Sequence, residues 1–253
     1  MSHRTPNAIA ALLALVPMAA SAEATVKPDG EFRYALGAGA SYSAGNTSDA
    51  SVNLEGDGVR ATADSKWRFG AKGLWTRSQG TTTAEMITAG TQYERDLTPL
   101  WFGFGNADYL RDKFANIASR YSLHAGAGRH LVKRDDLTFD VSAGLGYTQD
   151  EYINQVDVHG RLRSSYGRPE LLLAEESHHK LTATTSFRQK ASLFPALSSS
   201  GGYRAVFDTG LAVSMTPRLS LNVGLTYRYD SDPGAGLRHN DTLFVTGIAL
   251  KID

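Results

Sequence analysis

Apolar and polar residues alternate one for one along this chain, segment after segment, from Phe32 to its last residues. In the stretch from Leu219 to Asp230, Leu219, Leu221, Val223, Leu225, Tyr227 and Tyr229 share one face, and Ser220, Asn222, Gly224, Thr226, Arg228 and Asp230 the other. Trp67, Phe69, Ala71, Gly73 and Trp75 oppose Lys66, Arg68, Gly70 and Lys72 in the same way. A period of two belongs to a β-strand with one apolar side and leaves no room for an amphipathic helix. About twelve such segments follow one another. One of them, "LWFGFGNADYL", carries aromatics on both faces at its start, and its pattern gives no orientation.

What the apolar sides touch is decided by the connections and the composition. Every second connection is short and turn-like: "ATADS", "RDLTP", "VKRDD" and "MTPR". The others read as longer: "RSQGTTT", "RDKFANIA", Gln149 to Arg168, "FPALSSSGG" and "DSDPGAGLRHND". Loop lengths sorted by parity, with Tyr and Trp toward strand ends, fit a barrel crossing a bilayer, with short turns on one side and longer loops on the other. A soluble β-sandwich has no reason to sort its loops. The reading is therefore all-β: an antiparallel transmembrane outer-membrane β-barrel of about twelve strands.

The first residues agree. Arg4, an apolar run from Ala8 to Ala20 and small residues at Ala20, Ser21 and Ala22 form the pattern of a secretory signal peptide. Residues 1–22 are expected to be cleaved, leaving 23–253 as one barrel domain in the outer membrane of a Gram-negative bacterium. The chain has no cysteine, so an exported fold must rely on closure and burial instead of disulfides. Lys+Arg and Asp+Glu number 26 each, and this balance offers no basic field for nucleic acid.

Alternation also lists the side chains that should line the lumen: Arg33, Glu55, Asp57, Lys66, Arg68, Lys72, Arg120, His124, Asp140, Arg188, Arg204, Asp208, Arg228 and Asp230. Interleaved signs suit a hydrated ion-pair network that stiffens the wall, or a narrow polar pore for a small solute or ion. Ser122 and His124, two apart on one strand face, are the minimum for a nucleophile and its base, and supply the enzymatic alternative of a lipid- or lipopolysaccharide-modifying hydrolase. No third group orients the imidazole, so the expectation is a non-enzyme. "EESHHK" holds the metal-capable Glu175, Glu176, His178 and His179, but two ligands per face do not fix a metal, and the stretch reads as a turn. The glycine pairs Gly37/Gly39, Gly126/Gly128 and Gly144/Gly146 lie inside strands, where they relieve crowding on the inner face rather than cradle phosphate. No residues imply a cofactor.

Longer pieces carry a resemblance. "YSAGNTS", "RSSYGRPELLLAEES", "TSFRQ" and "YRYDSDPGAGLRHNDTLFVTGIALKID", in this order, resemble the domain-of-unknown-function 481 family of Gram-negative salt-induced outer membrane proteins, from about Tyr34 to Asp253. The resemblance implies an outer-membrane barrel, with outer-membrane lipid, lipopolysaccharide and the barrel-insertion machinery as partners. It brings no catalytic or ligand-binding residues. One departure stands out: the chain ends Leu250-Lys251-Ile252-Asp253, whereas outer-membrane barrels usually finish on an aromatic residue. The last strand has its aromatic at Phe244.

Overall fold

The computed structural model describes residues 24–43, 49–158, 160–198, 201–233 and 238–252. The expected signal peptide and the terminal Asp253 lie outside the described residues. Twelve strands follow in order: β1 (Phe32–Ser43), β2 (Asp49–Ala61), β3 (Ser65–Ser78), β4 (Thr81–Asp96), β5 (Trp101–Asp112), β6 (Ile117–Lys133), β7 (Leu137–Asp157), β8 (Leu162–Lys180), β9 (Thr185–Pro195), β10 (Tyr203–Ser214), β11 (Leu219–Asp230) and β12 (Asn240–Ile252). Each pairs antiparallel with its neighbours in sequence, and β12 pairs with β1, closing the barrel. Among the described residues no helix is long and apolar enough to cross a membrane.

Residues opposite each other in an antiparallel ladder point to the same face. The register therefore carries one parity around the whole ring, from Arg33 to Val59, Arg68, Gln92 and Asn106, and on to Lys251 beside Ala35. That parity is the lumen. Burial is inverted relative to a water-soluble domain: Glu170, Asp150 and Thr148 are 0% exposed, while Leu123, Leu145, Leu36 and Leu54 are 54–63% exposed. Large apolar side chains outside and charged ones inside are stable only with hydrocarbon around the wall. Phe32, Tyr34, Trp67 and Phe69 form an aromatic cluster on the outer face near the chain termini, and the pairs Tyr109–Tyr121 and Tyr203–Tyr229 lie on the opposite rim.

Four of the five turns on the terminal rim share one device. Thr62, Thr98, Thr182 and Thr216 each accept, at Oγ1, the backbone N–H groups two and three residues ahead. Each also donates its own N–H to the carbonyl three residues on, at 2.8–3.1 Å. The hydroxyl satisfies turn donors that have no ladder partner.

Two sequence expectations need correction, and one orientation left open is supplied. Two of the long loops of the distal rim are largely strand. β3 and β4 meet at Gln79-Gly80, both with positive φ, as a two-residue hairpin turn requires. The run from Gln149 to Arg168 is the far end of the β7–β8 hairpin, whose strands reach 21 and 19 residues. It reads as loop because a strand standing beyond the bilayer has no apolar face to display. "EESHHK" is the end of β8, not a turn, and the chain reverses at residues 181–184. Finally, β5 acquires its orientation: Phe102 and Phe104 point inward and are buried, whereas Trp101 faces out. Room for the two rings comes from β6 and β7 positions without side chains. A Cβ at Gly128 would lie 2.1 Å from Phe102, and one at Gly144, beside Gly126 on β7, would lie 3.0 Å from Phe104.

Candidate functional site

The lumen holds the chemistry, in three layers. At the terminal rim the segment before β1 turns into the mouth. Ala24 is buried against Ala35, Val59 and Ala249, and its N–H donates to Asp57 at 3.0 Å. Arg33 pairs with Asp29 at 2.6 Å, just outside the strands. Hydrogen bonding to that guanidinium holds the Asp29 carboxyl well below the usual carboxylate range. Farther along the β2–β3 wall, deeper than Arg68, Glu55 and Lys72 face each other at 3.7 Å.

The second layer, a few residues in from the terminal rim, crosses the barrel. Lys66 and Arg68 on β3 bind Glu94 on β4 at 2.9 and 2.7 Å, and Arg68 also grips both oxygens of Glu176 on β8. Lys190 on β9 donates to Gln92 on β4 at 3.3 Å and lies 3.8 Å from Glu176. Strands β3 and β8 are five places apart around the ring. In a circular barrel of twelve strands at the usual spacing and tilt they would be about 23 Å apart. An extended Arg and Glu in contact bridge only about 13 Å between backbones. The barrel is therefore flattened here, with the β3–β4 wall drawn toward β8–β9. Beside this layer His130, stacked on Phe102, links Asp140 at 2.7 Å and Asp96 at 3.1 Å, and Lys133 also holds Asp96.

The third layer is the most deeply buried. Glu170 on β8 accepts from Thr148 at 2.6 Å, from His124 Nε2 at 2.9 Å and from Arg204 at 2.8 and 2.9 Å. Asp150 accepts from Arg120 and from Arg168, the latter at 2.8 Å. Phe194 packs against both His124 and the Arg204 guanidinium. Above these groups a cavity of about 380 Å³ opens to the distal rim, its floor made by Arg120, Arg168 and Arg204 and its rim bearing Asp230 and Asp241.

The fourteen side chains named from the sequence all belong to the inner parity, but they are not one site. Arg33 and Asp57 belong to the terminal mouth, and Lys66, Arg68 and Asp140 to the second layer. Arg120, His124 and Arg204 make the buried layer. Arg188 lies in register with His178, and Asp208 accepts from Thr226 at 2.6 Å. Of the decisive carboxylates, the sequence reading leaves out Glu94, Asp150 and Glu170, and names Glu176 only as a metal-capable residue. Asp150 was hidden in apparent loop, and Glu170 sits beside Leu171-Leu172-Leu173, where Leu172 breaks the alternation by facing in. Its spacing of two from Arg168 was the available signal.

Ser122 and His124 do not form a nucleophile–base pair. Thr148 spends its proton on Glu170, so the Ser122 hydroxyl, 2.8 Å away, donates to Thr148. His124 Nε2 faces a carboxylate and must carry the hydrogen there, which removes it as a proton acceptor at that atom. The four metal-capable residues at the end of β8 divide between faces, Glu176 and His178 inside, Glu175 and His179 outside.

Residues 36–252 match the family described as "Protein of unknown function, DUF481". The "Uncharacterized protein YdiY" of Escherichia coli (strain K12) is 23% identical over 198 residues, 78% of this chain and 74% of that one. Among solved structures, a NanC porin covers 87% of this chain and 100% of its own at 13% identity, with a TM-score of 0.48. The translocator domain of the autotransporter NalP from Neisseria meningitidis covers 88% and 87% at 10% identity, with a TM-score of 0.46. At such identities the likeness is one of fold.

Proposed function

The chain belongs to the DUF481 family, and we propose that it serves as a non-enzymatic outer-membrane barrel, a narrow polar conduit held shut at rest by the ion pairs that cross its lumen. In this reading the signal peptide is removed on export, the terminal rim faces the periplasm, and the distal cavity opens at the cell surface. The observation that carries it is the Arg68–Glu176 contact across the lumen. A wall needs no such bridge, because its backbone ladders already close the ring. The two side chains stay 25% and 23% exposed to the lumen, so water can take up both charges when the pair opens. Mixed charge along the path favours small polar solutes over bulky or apolar ones.

Planar-bilayer recording tests this. The wild-type protein should conduct rarely and in small steps, while Arg68→Ala combined with Glu176→Ala should raise open probability at least tenfold. A membrane that stays sealed for both proteins overturns the conduit, and large steady wild-type currents overturn the resting closure.

A further inference from the structure

The barrel is not evenly sewn. The β1–β12 ladder runs over five positions, from Tyr34↔Ile252 to Ala38↔Ile248, whereas β1 pairs with β2 over its full length and β12 with β11 from Asn240 to Leu250. Past Ala38, then, Gly39–Ser43 hold only β2, and Asn240–Gly247 hold only β11, and among the described residues no pairing joins these two edges. Phe244 and Leu225, in register on the lipid face of β12 and β11, place part of this split inside the hydrocarbon. Open sheet edges there are expensive unless something uses them.

Apolar side chains lie on both sides of the split, together with Asp241, which faces inward opposite Arg228. Outside, an open groove of about 710 Å³ ends at it, lined by Leu36, Ala38, Leu54, Trp75, Ile248 and Leu250. Inside, where the lumen is otherwise charged, Gly39 leads along one ladder row through Asn53 to Leu74 and Met86, both buried. Leu243 and Val245 take the inner positions on β12, opposite Thr226 and Gly224. Directly behind the split, Arg228 reaches from β11 to Met86 on β4, donating to its Sδ at 3.0 Å. A thioether is a weak acceptor for a guanidinium, and a carboxylate would replace it with a stronger, charge-assisted pair.

We propose that the β1–β12 split is a lateral portal between the outer leaflet and the lumen, and that its substrate is a free fatty acid. The acyl chain enters from the groove and lies along Leu74, Met86, Leu243 and Val245, and the carboxylate binds Arg228. Behind the split the proposed head-group ligand is a single guanidinium, Arg228, which suits the one carboxylate of a single-chain acid. This route goes beyond the axial conduit and does not depend on its conductance.

The test uses the full mature protein in phospholipid nanodiscs. The chain has no cysteine, so introduced pairs are unambiguous. Ala40→Cys with Thr246→Cys, joined by a short thiol cross-linker, closes the split; Ala38→Cys with Ile248→Cys staples strands already paired. The probe is dodecanoate carrying a photoreactive diazirine near its tail. Expected is labelling of peptides containing Leu74 or Met86 and Leu243 or Val245, reduced at least tenfold by the first staple and unchanged by the second. The uncross-linked first pair controls for folding. Arg228→Gln should weaken labelling by the acid about tenfold and leave labelling by its methyl ester unchanged. Labelling that ignores the first staple, is confined to the outer face, or falls equally for acid and ester in Arg228→Gln overturns the proposal.

Discussion

Replacing Glu170 by Gln isolates what the buried layer contributes. The carboxylate is 0% exposed and accepts from Thr148, His124 and Arg204, the last through both oxygens. Gln is nearly isosteric, so packing stays, but one accepting oxygen becomes an NH2 group that faces the Arg204 guanidinium. Arg204, with its side chain 12% exposed, then loses its anion. Removing one partner of a buried pair costs about 3–5 kcal/mol, because the remaining charge stays desolvated. The nearby Asp150 still offsets part of the positive charge, so the lower end, about 3 kcal/mol, is expected. Guanidinium unfolding in phospholipid vesicles, read by tryptophan fluorescence and by heat-modifiable gel mobility, measures it. Removing both charges in Glu170→Gln with Arg204→Met should recover at least about half of the loss, since no buried charge is then left alone. A loss below about 1 kcal/mol for Glu170→Gln, or no recovery in the double variant, would refute the reasoning.

Three further outcomes are expected. Gly126→Ala should destabilise by about 1–3 kcal/mol, because its Cβ would stand 2.2 Å from a backbone oxygen of β7; Gly105→Ala, with its nearest atom at 4.0 Å, should change little in the same unfolding assay. Thr98→Ala should cost about 1 kcal/mol by orphaning two turn donors, and Thr98→Ser should restore it. Asp29 should titrate below its ordinary value of 3.8 by NMR and return toward it in Arg33→Gln. Because the folded-state pKa is lowered, the stabilisation this carboxylate gives is complete above the ordinary value and is lost as pH falls through the folded one.

Where a strand has lipid on one side and a hydrated lumen on the other, its face could be read directly, as in β1, β3 and β11. The reading failed where the interior is itself apolar. Phe102 and Phe104 point inward because β6 and β7 offer glycine beneath them, and Leu172 points inward to meet them. Neither arrangement is visible along a single strand. It failed again beyond the bilayer, where β7 and β8 continue with polar residues on both sides. The partners of the lumen charges were least legible. Arg68 and Glu176 are 108 positions apart, and their meeting depends on how far the ring is flattened, which no local pattern encodes. Glu94, in register with Lys66 across one ladder, follows from strand pairing alone once the register is known.

The threonine turns of the terminal rim bear on how such a chain assembles. Each closes its reversal within three residues, using a side chain already at hand, so the entropy of closure is close to the smallest a hairpin can have. The pairs β2–β3, β4–β5, β8–β9 and β10–β11 can therefore nucleate independently, while the closing ladder between β1 and β12 must join residues more than two hundred positions apart. Assembly is then a matter of setting four self-starting hairpins side by side, with the ring sealed last, along its shortest ladder.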